Sequence, residues 1–384
     1  MVPLLRVPLA PLLTGAALGF FFVTRDLGAI ADSCSSDLSP ITRIPYVDDF
    51  LFFVISLFQQ VDRTPEGRFV TSTSFGAALP LLFFFGVESG RQGVTGMARY
   101  GLLFAILGWI LPMASVLNLL LVPAFIYSQS EYLESLVKRV RGGGGPQSPH
   151  IGDASSSSPS AHVQDAAGGI IAPVRGVTRV HAQTVSAVIL ALALLVSVMI
   201  NVPARSTVYV AVNTAFQFFP LVFTLPYILA RPPPSPETLI LSADSLSTIK
   251  MVYMVLAGFS TAWYVQSVIE LLGSCALFNP KVTGSLSVWL WAAVEALGKL
   301  DFSSGPVRAF AADLVGICLA PVFIFLSENY STDRIVWYAF SSFFISPGAA
   351  AAYLLHEREA KEVAGPSGVI SGGIGGGGIR QHVA

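Results

Sequence analysis

Apolar runs long enough to cross a bilayer recur along this chain, near residues 7–23, 98–126, 183–201, 208–230, 250–273, 306–326 and 335–355. A hydrocarbon core about 30 Å thick needs roughly 20 such residues at about 1.5 Å each. Two shorter runs, 47–61 and 72–89, span if their polar ends are shielded, and Ser285 to Gly298 forms a tenth run interrupted by Glu295. Irregular backbone cannot face lipid, because its N–H and C=O groups would go unsatisfied. The expected fold is therefore all-α, a polytopic transmembrane helical bundle of eight to ten spans, with the lipid bilayer as its main solvent. Composition agrees: 12% of the residues are charged, against about 25% in soluble domains. A formal net charge of −1 gives no footprint for nucleic acid.

Basic residues decide between nine spans and ten. With nine, the two sides hold 11 and 11 Lys and Arg; with ten, the N-terminal side holds 15 and the other 7, the same 22 in all. The positive-inside tendency favours ten spans with both termini cytosolic, which places loop 327–334 in the lumen. Residues 1–141 form the first part of the bundle with spans one to four, and 183–360 carry the remaining spans. Between them, 142–182 read as a disordered cytosolic linker, since 142–168 contain almost nothing that could be buried. The glycine-rich tail 361–384 reads the same way. Gly15 and Gly19 have the spacing that lets two helices approach closely, within the bundle or at a dimer interface.

Several chemistries lack their residues. The five histidines (150, 162, 181, 356 and 382) fall in predicted loops or tails, which argues against a haem or di-iron site between helices. Cys34, Cys275 and Cys318 have no metal-ligand spacing. Cys34 and Cys275 fall on one side of the ten-span arrangement, where they are either isolated thiols or a disulfide. No phosphate-binding glycine motif and no aspartate-rich magnesium motif occurs, so no metal or organic cofactor is expected.

Carboxylates at membrane depth are present instead, and such groups are functional candidates because burying a charge in lipid is expensive. Asp48 and Asp49 open the second run, Glu88 and Arg91 close the third, Glu270 lies near the end of the seventh, and Asp313 sits inside the ninth. In the ten-span arrangement Asp48, Asp49, Glu88, Arg91 and Glu270 fall near one membrane face, where they would form a polar pocket over an apolar shaft. Plainer roles compete: Glu88 and Arg91 pair to tolerate burial, and the aspartates cap a helix. Asp313 reads equally as a proton relay or a packing residue. The same spans are rich in rings, among them Phe50, Phe53, Phe83 to Phe85, Phe216, Tyr253 and Trp263. Ring faces stabilise positive charge, so an acid beside an aromatic cavity suits carbocation chemistry.

The segment Pro45 to Leu51 with Phe58-Gln59 resembles the second-helix entry of fungal integral membrane terpene cyclases of the ascochlorin and ascofuranone type. Glu88-Ser89-Gly90-Arg91, Gln217-Phe218-Phe219-Pro220, and Ala243-Asp244 followed by Tyr253 are similar to the same group. The likeness spreads over residues 40–350 in short motifs. It implies a metal-independent isomerase of secondary metabolism, in the endoplasmic reticulum, that protonates the terminal epoxide or alkene of a prenylated substrate. Asp48 best matches the acid, and Asp49, Glu88 and Arg91 transfer with it; Glu270 joins Asp48, Glu88 and Arg91 in the candidate catalytic set from its place at membrane depth. The rival is a proton-coupled transporter or exporter, which should show discontinuous helices at midplane and access from both faces.

Overall fold

The computed structural model describes residues 9–21, 41–91, 93–142, 176–229, 243–274 and 305–364. All regular structure among them is helical, apart from an isolated bridge between Arg91 and Val177. Six helical stretches are long and apolar enough to cross a membrane, so this is a multi-pass membrane protein. The run 285–298, Cys34, Cys275, and most of the predicted linker and tail lie outside the described residues.

The central element is α3 (Pro65–Ser89); α1 (Leu9–Phe21) and α2 (Pro45–Val61) precede it. Thr64 caps α3 by accepting the Gly67 N–H at 3.0 Å, and Pro65 supplies a preset φ at the first position. Nearly every α3 side chain is buried, because α6 (Arg179–Asn201), α8 (Ala243–Ser274), α9 (Gly305–Ser327) and α11 (Pro347–Ala364) pack around it. A helix surrounded by others has no polar face to show, and its sequence reads as continuously apolar or small.

Two predicted spans instead turn back inside the bundle. The 335–355 run divides into α10 (Thr332–Phe344) and α11, an antiparallel hairpin. Arg334 pairs with Glu357 at 2.9 Å, and the Trp337 and Tyr353 rings meet at 5.2 Å. The turn is local chemistry: Pro347 cannot continue the preceding helix, and Ser346 caps the next by accepting the Ala349 N–H at 2.9 Å. The tip reaches the middle of α3, where Gly76 and Gly348 let backbones touch; a Cβ on Gly348 would come 1.9 Å from the Gly76 carbonyl oxygen. Ser346 also bonds Ser260 of α8 at 2.6 Å.

The 98–126 run behaves likewise. It descends through α4 (Gly101–Ala105), flanked by the 3-10 turns Gly96–Tyr100 and Ile106–Trp109, and reverses at Pro112. It climbs back as α5, which comprises Met113–Val116, a π turn at Leu117–Leu121, and Val122–Gly142. The first turn of α5 touches Asp313, eight residues into α9, and so lies about 12 Å from that end of the bundle. In the π turn, Asn118 Nδ2 donates to the Ala114 carbonyl at 2.8 Å and to the Gly316 carbonyl at 2.9 Å, locking α5 to α9. Gly15 and Gly19 seat α1 against the same part of α5, at Leu119 and Ser115, which uses the close-approach motif within the chain. The remaining element, α7, runs Thr207–Phe218, then a 3-10 stretch Phe219–Thr224 opened by Pro220, then Leu225–Leu229.

The hairpin corrects the expected topology. Loop 328–331 and the end of α11 lie at one end of the bundle, as the Arg358–Glu328 pair at 2.7 Å requires. Reporters placed after Tyr330 and after Ala364 should therefore appear on the same side of the membrane. The Lys138-Arg139-Val140-Arg141 run closes α5 at that end. Opposite readings from the two reporters would restore a crossing span. The boundaries of the predicted linker and tail also shift: α6 begins at Arg179 and α11 continues to Ala364.

Candidate functional site

A cavity of about 180 Å³ lies inside the bundle between α2, α3, the reversal before α5, α7 and α9. Its wall carries seven aromatic rings, Phe50, Phe53 and Phe58 of α2, Phe75, Trp109, Phe216 and Phe310. Five of them form one contact set: Phe58 stacks on Phe75 at 6.0 Å and meets Phe216 and Phe310 edge-on at 5.9 and 5.3 Å, and Trp109 meets Phe216 at 5.4 Å. Trp109 is anchored by donating Nε1–H to the Phe216 carbonyl at 3.2 Å. Phe50, Phe53, Leu57 and Phe58 line the cavity because spacings of three and four put them on one face of α2.

The described lining residues bearing polar side chains are Ser74, Gln217 and Asp313, with no basic residue among them. Asp313 accepts the Ala114 N–H at 2.7 Å through Oδ1. It thereby satisfies a free N–H of α5, whose N-terminal partial positive charge favours a carboxyl group there. Gln217 ends a polar column on α7. Tyr209 donates to Asp62 Oδ2 at 2.5 Å, Asn213 follows one turn on, and Gln217 donates from Nε2 to Asn213 Oδ1 at 2.9 Å. Asp62, Tyr209 and Asn213 are buried.

The four residues proposed as catalytic from sequence fall at three separate places. Glu88 and Arg91 belong to a buried ion cluster at the C-terminal end of α3. Glu88 Oε1 accepts from Arg91 Nε at 2.5 Å and from Arg358 Nη1 at 2.8 Å. Arg91 Nη2 contacts both oxygens of Glu359 at 2.5 and 2.6 Å, and Arg358 Nε contacts both of Glu328 at 2.7 and 2.9 Å. The Arg358 guanidinium also lies over the Phe84 and Phe125 rings at 5.1 and 5.8 Å. Three carboxylates against two guanidiniums leave these five residues one negative charge, and the cluster binds α3, α9 and α11 together.

Glu270 lies at the opposite end of α3, paired with Arg68 at 3.3 Å on a partly exposed surface. About 30 Å of helix separates Arg68 from Glu88, twenty residues on, so the expected single pocket of five charges does not form. Asp48 holds the loop before α2, its Oδ1 accepting from Thr42 N at 2.7 Å, Thr42 Oγ1 at 2.9 Å and Ile41 N at 3.2 Å. None of the four lines the aromatic cavity.

His181 also departs from expectation. It sits in the first turn of α6, buried, with Nε2 at 2.9 Å from the Gly86 carbonyl, and a Cβ on Gly90 would overlap its ring. Sequence reasoning passed over Arg358 and Glu359 because the unbroken 335–355 run placed them just beyond the last span; the signal available was Ser346-Pro347, a helix-start pair inside that run. Among the described residues no group of three or more His, Cys, Asp or Glu side chains is placed to hold a metal ion.

No family model matches the chain, and neither a curated protein nor a solved structure matches it.

Proposed function

We propose that this membrane protein is a terpene cyclase of the acid-initiated kind, which binds a prenyl chain in the aromatic cavity and uses Asp313 as its acid. The observation that carries this reading is the position of Asp313, the one carboxyl group among the described residues lining a cavity otherwise walled by rings. The resemblance in sequence points to Asp48 instead, but Asp48 is engaged with its own loop. With Oδ1 held by the α5 backbone, the carboxyl group is fixed in orientation. Protonated, it would give its proton to the epoxide oxygen as the C–O bond breaks. An alkene π pair then forms the new C–C bond, and the ring faces stabilise the migrating cation. Loss of a proton from the last cation to the Asp313 carboxylate ends the sequence, so the product is an isomer of the substrate. An apolar wall keeps water from trapping the cation.

Microsomes containing the protein, supplied with an epoxyfarnesyl phenol, should yield cyclic isomers of unchanged mass. Recovery of the linear epoxide or its diol alone would reject the cyclase. A second reading, a carrier for the same class of molecule, is favoured by the two segments that reverse inside the bundle, a feature of alternating-access proteins. Proton-driven uptake of the unchanged phenol into sealed vesicles would support the carrier and displace the cyclase.

A further inference from the structure

The α7 column has a direction. A carboxylate only accepts hydrogen bonds, so the Asp62–Tyr209 contact at 2.5 Å makes the Tyr209 hydroxyl the donor. The phenol oxygen is then left to accept, and it faces the Asn213 side chain. Asn213 Nδ2, fully buried, makes no hydrogen bond of its own to a described residue, which leaves the phenol oxygen as the acceptor beside it. With its NH2 turned to Tyr209, Asn213 offers Oδ1 to the next turn, where Gln217 Nε2 donates at 2.9 Å. This order of donors and acceptors assigns each amide one of its two otherwise interchangeable orientations. The last group, Gln217 Oε1, accepts no hydrogen bond from a described residue, and Gln217 lines the cavity.

From this column we infer that the cavity selects ligands carrying a hydroxyl donor, which gives its proton in a hydrogen bond to Gln217 Oε1 while the apolar chain lies among the rings. The inference rests on the reading that the cavity binds a prenylated molecule, and it names which end is recognised and how. Gln217 is the contact residue; Asp62, Tyr209 and Asn213 are positioning residues that set its polarity. The charge of the wall supports the same class. With no basic side chain among the described lining residues, an anionic head such as a diphosphate or carboxylate would be buried without a counter-charge. Two buried polar residues, Tyr209 and Asn213, in line with a half-buried Gln217 at a spacing of four on a mostly apolar helix, are costly unless used, and orienting one acceptor is a use that matches their order.

The test compares two probes, a farnesylated phenol and its O-methyl ether, on the full-length protein in lipid nanodiscs by quenching of tryptophan fluorescence. The ether keeps the chain and the oxygen but has no O–H, so it leaves Gln217 Oε1 unsatisfied in the bound state. The phenol should bind more tightly by on the order of 10–100-fold, the effect of one buried acceptor without a partner. Asp62→Asn introduces a donor at the foot of the column and frees it to reverse, so the preference should fall to within about threefold while ether affinity is kept. Gln217→Met removes the acceptor at similar volume and should abolish the preference in the same way. A general loss of folding would lower both affinities together and leave their ratio intact. Equal binding of the two probes by the wild type, or an unchanged preference in both variants, overturns the inference and leaves the proposed function standing. Binding of neither probe overturns both.

Discussion

Asp313→Asn should lower cyclisation of an epoxyfarnesyl phenol by about 10²–10⁴-fold, the usual contribution of a general acid, with little loss of folded protein. The amide retains an oxygen at the Oδ1 position, so the Ala114 N–H at 2.7 Å keeps its acceptor and the start of α5 stays capped. Only the acidic proton disappears. Asp313→Ala differs because it removes the cap as well, which costs about 1 kcal/mol and opens space between α9 and the α5 reversal. The comparison separates chemistry from architecture: the amide should match the alanine in lost activity but not in lost protein. Full activity of Asp313→Asn at equal membrane level would remove Asp313 as the acid. The parallel variant Asp48→Asn then becomes decisive, since the resemblance in sequence assigns the proton to that residue.

The second large effect is on stability. Arg358→Met should sharply reduce the amount of folded protein in the membrane, on the scale of 3–5 kcal/mol for a buried charge group stripped of its partner. Arg358 serves three carboxylates at once, Glu328 through Nε and both Glu88 and Glu359 through Nη1, and it covers the Phe84 and Phe125 rings. Methionine supplies the volume but leaves three carboxylates facing Arg91 alone. Arg358→Lys should rescue poorly, because a single ammonium cannot reproduce a planar fork that reaches three partners. Glu88→Gln should be milder than either, since a carbonyl oxygen remains for the arginines and the cluster's charge falls from −1 to zero. Thermal aggregation of the solubilised protein would rank the three variants. Equal stability of Arg358→Met and wild type would show that the cluster does not hold the hairpin to α3.

Much of this molecule was legible before any coordinates. Runs of apolar residues with few charges leave a chain no stable option except helices that satisfy their own backbone, and α3, α6, α7, α8 and α9 fall close to the runs at 72–89, 183–201, 208–230, 250–273 and 306–326. The Glu88–Arg91 pair was legible too, because a spacing of three places both on one helix face. Sequence alone misled where length stood in for path. The 98–126 and 335–355 runs have enough apolar residues to cross, yet Pro112 and Ser346-Pro347 turn them back. Whether a proline kinks a span or reverses it depends on what waits beside it, and here Gly76, Ser260 and Asp313 receive the two tips.

That reversal decided the site. Folding α11 back brings Arg358 and Glu359 to Glu88 and Arg91, which makes that pair part of a buried ion cluster away from the aromatic cavity. Folding α5 back puts a helix N-terminus in the interior, where its free N–H groups meet Asp313 and give that carboxyl group a fixed place on the cavity wall. Composition and periodicity determined the solvent, the helical class and the supply of rings and acids. Which acid meets which ring was settled only by tertiary contacts, because polar groups buried in an apolar bundle go where partners for their charges and hydrogen bonds are assembled, and those partners come from distant parts of the chain.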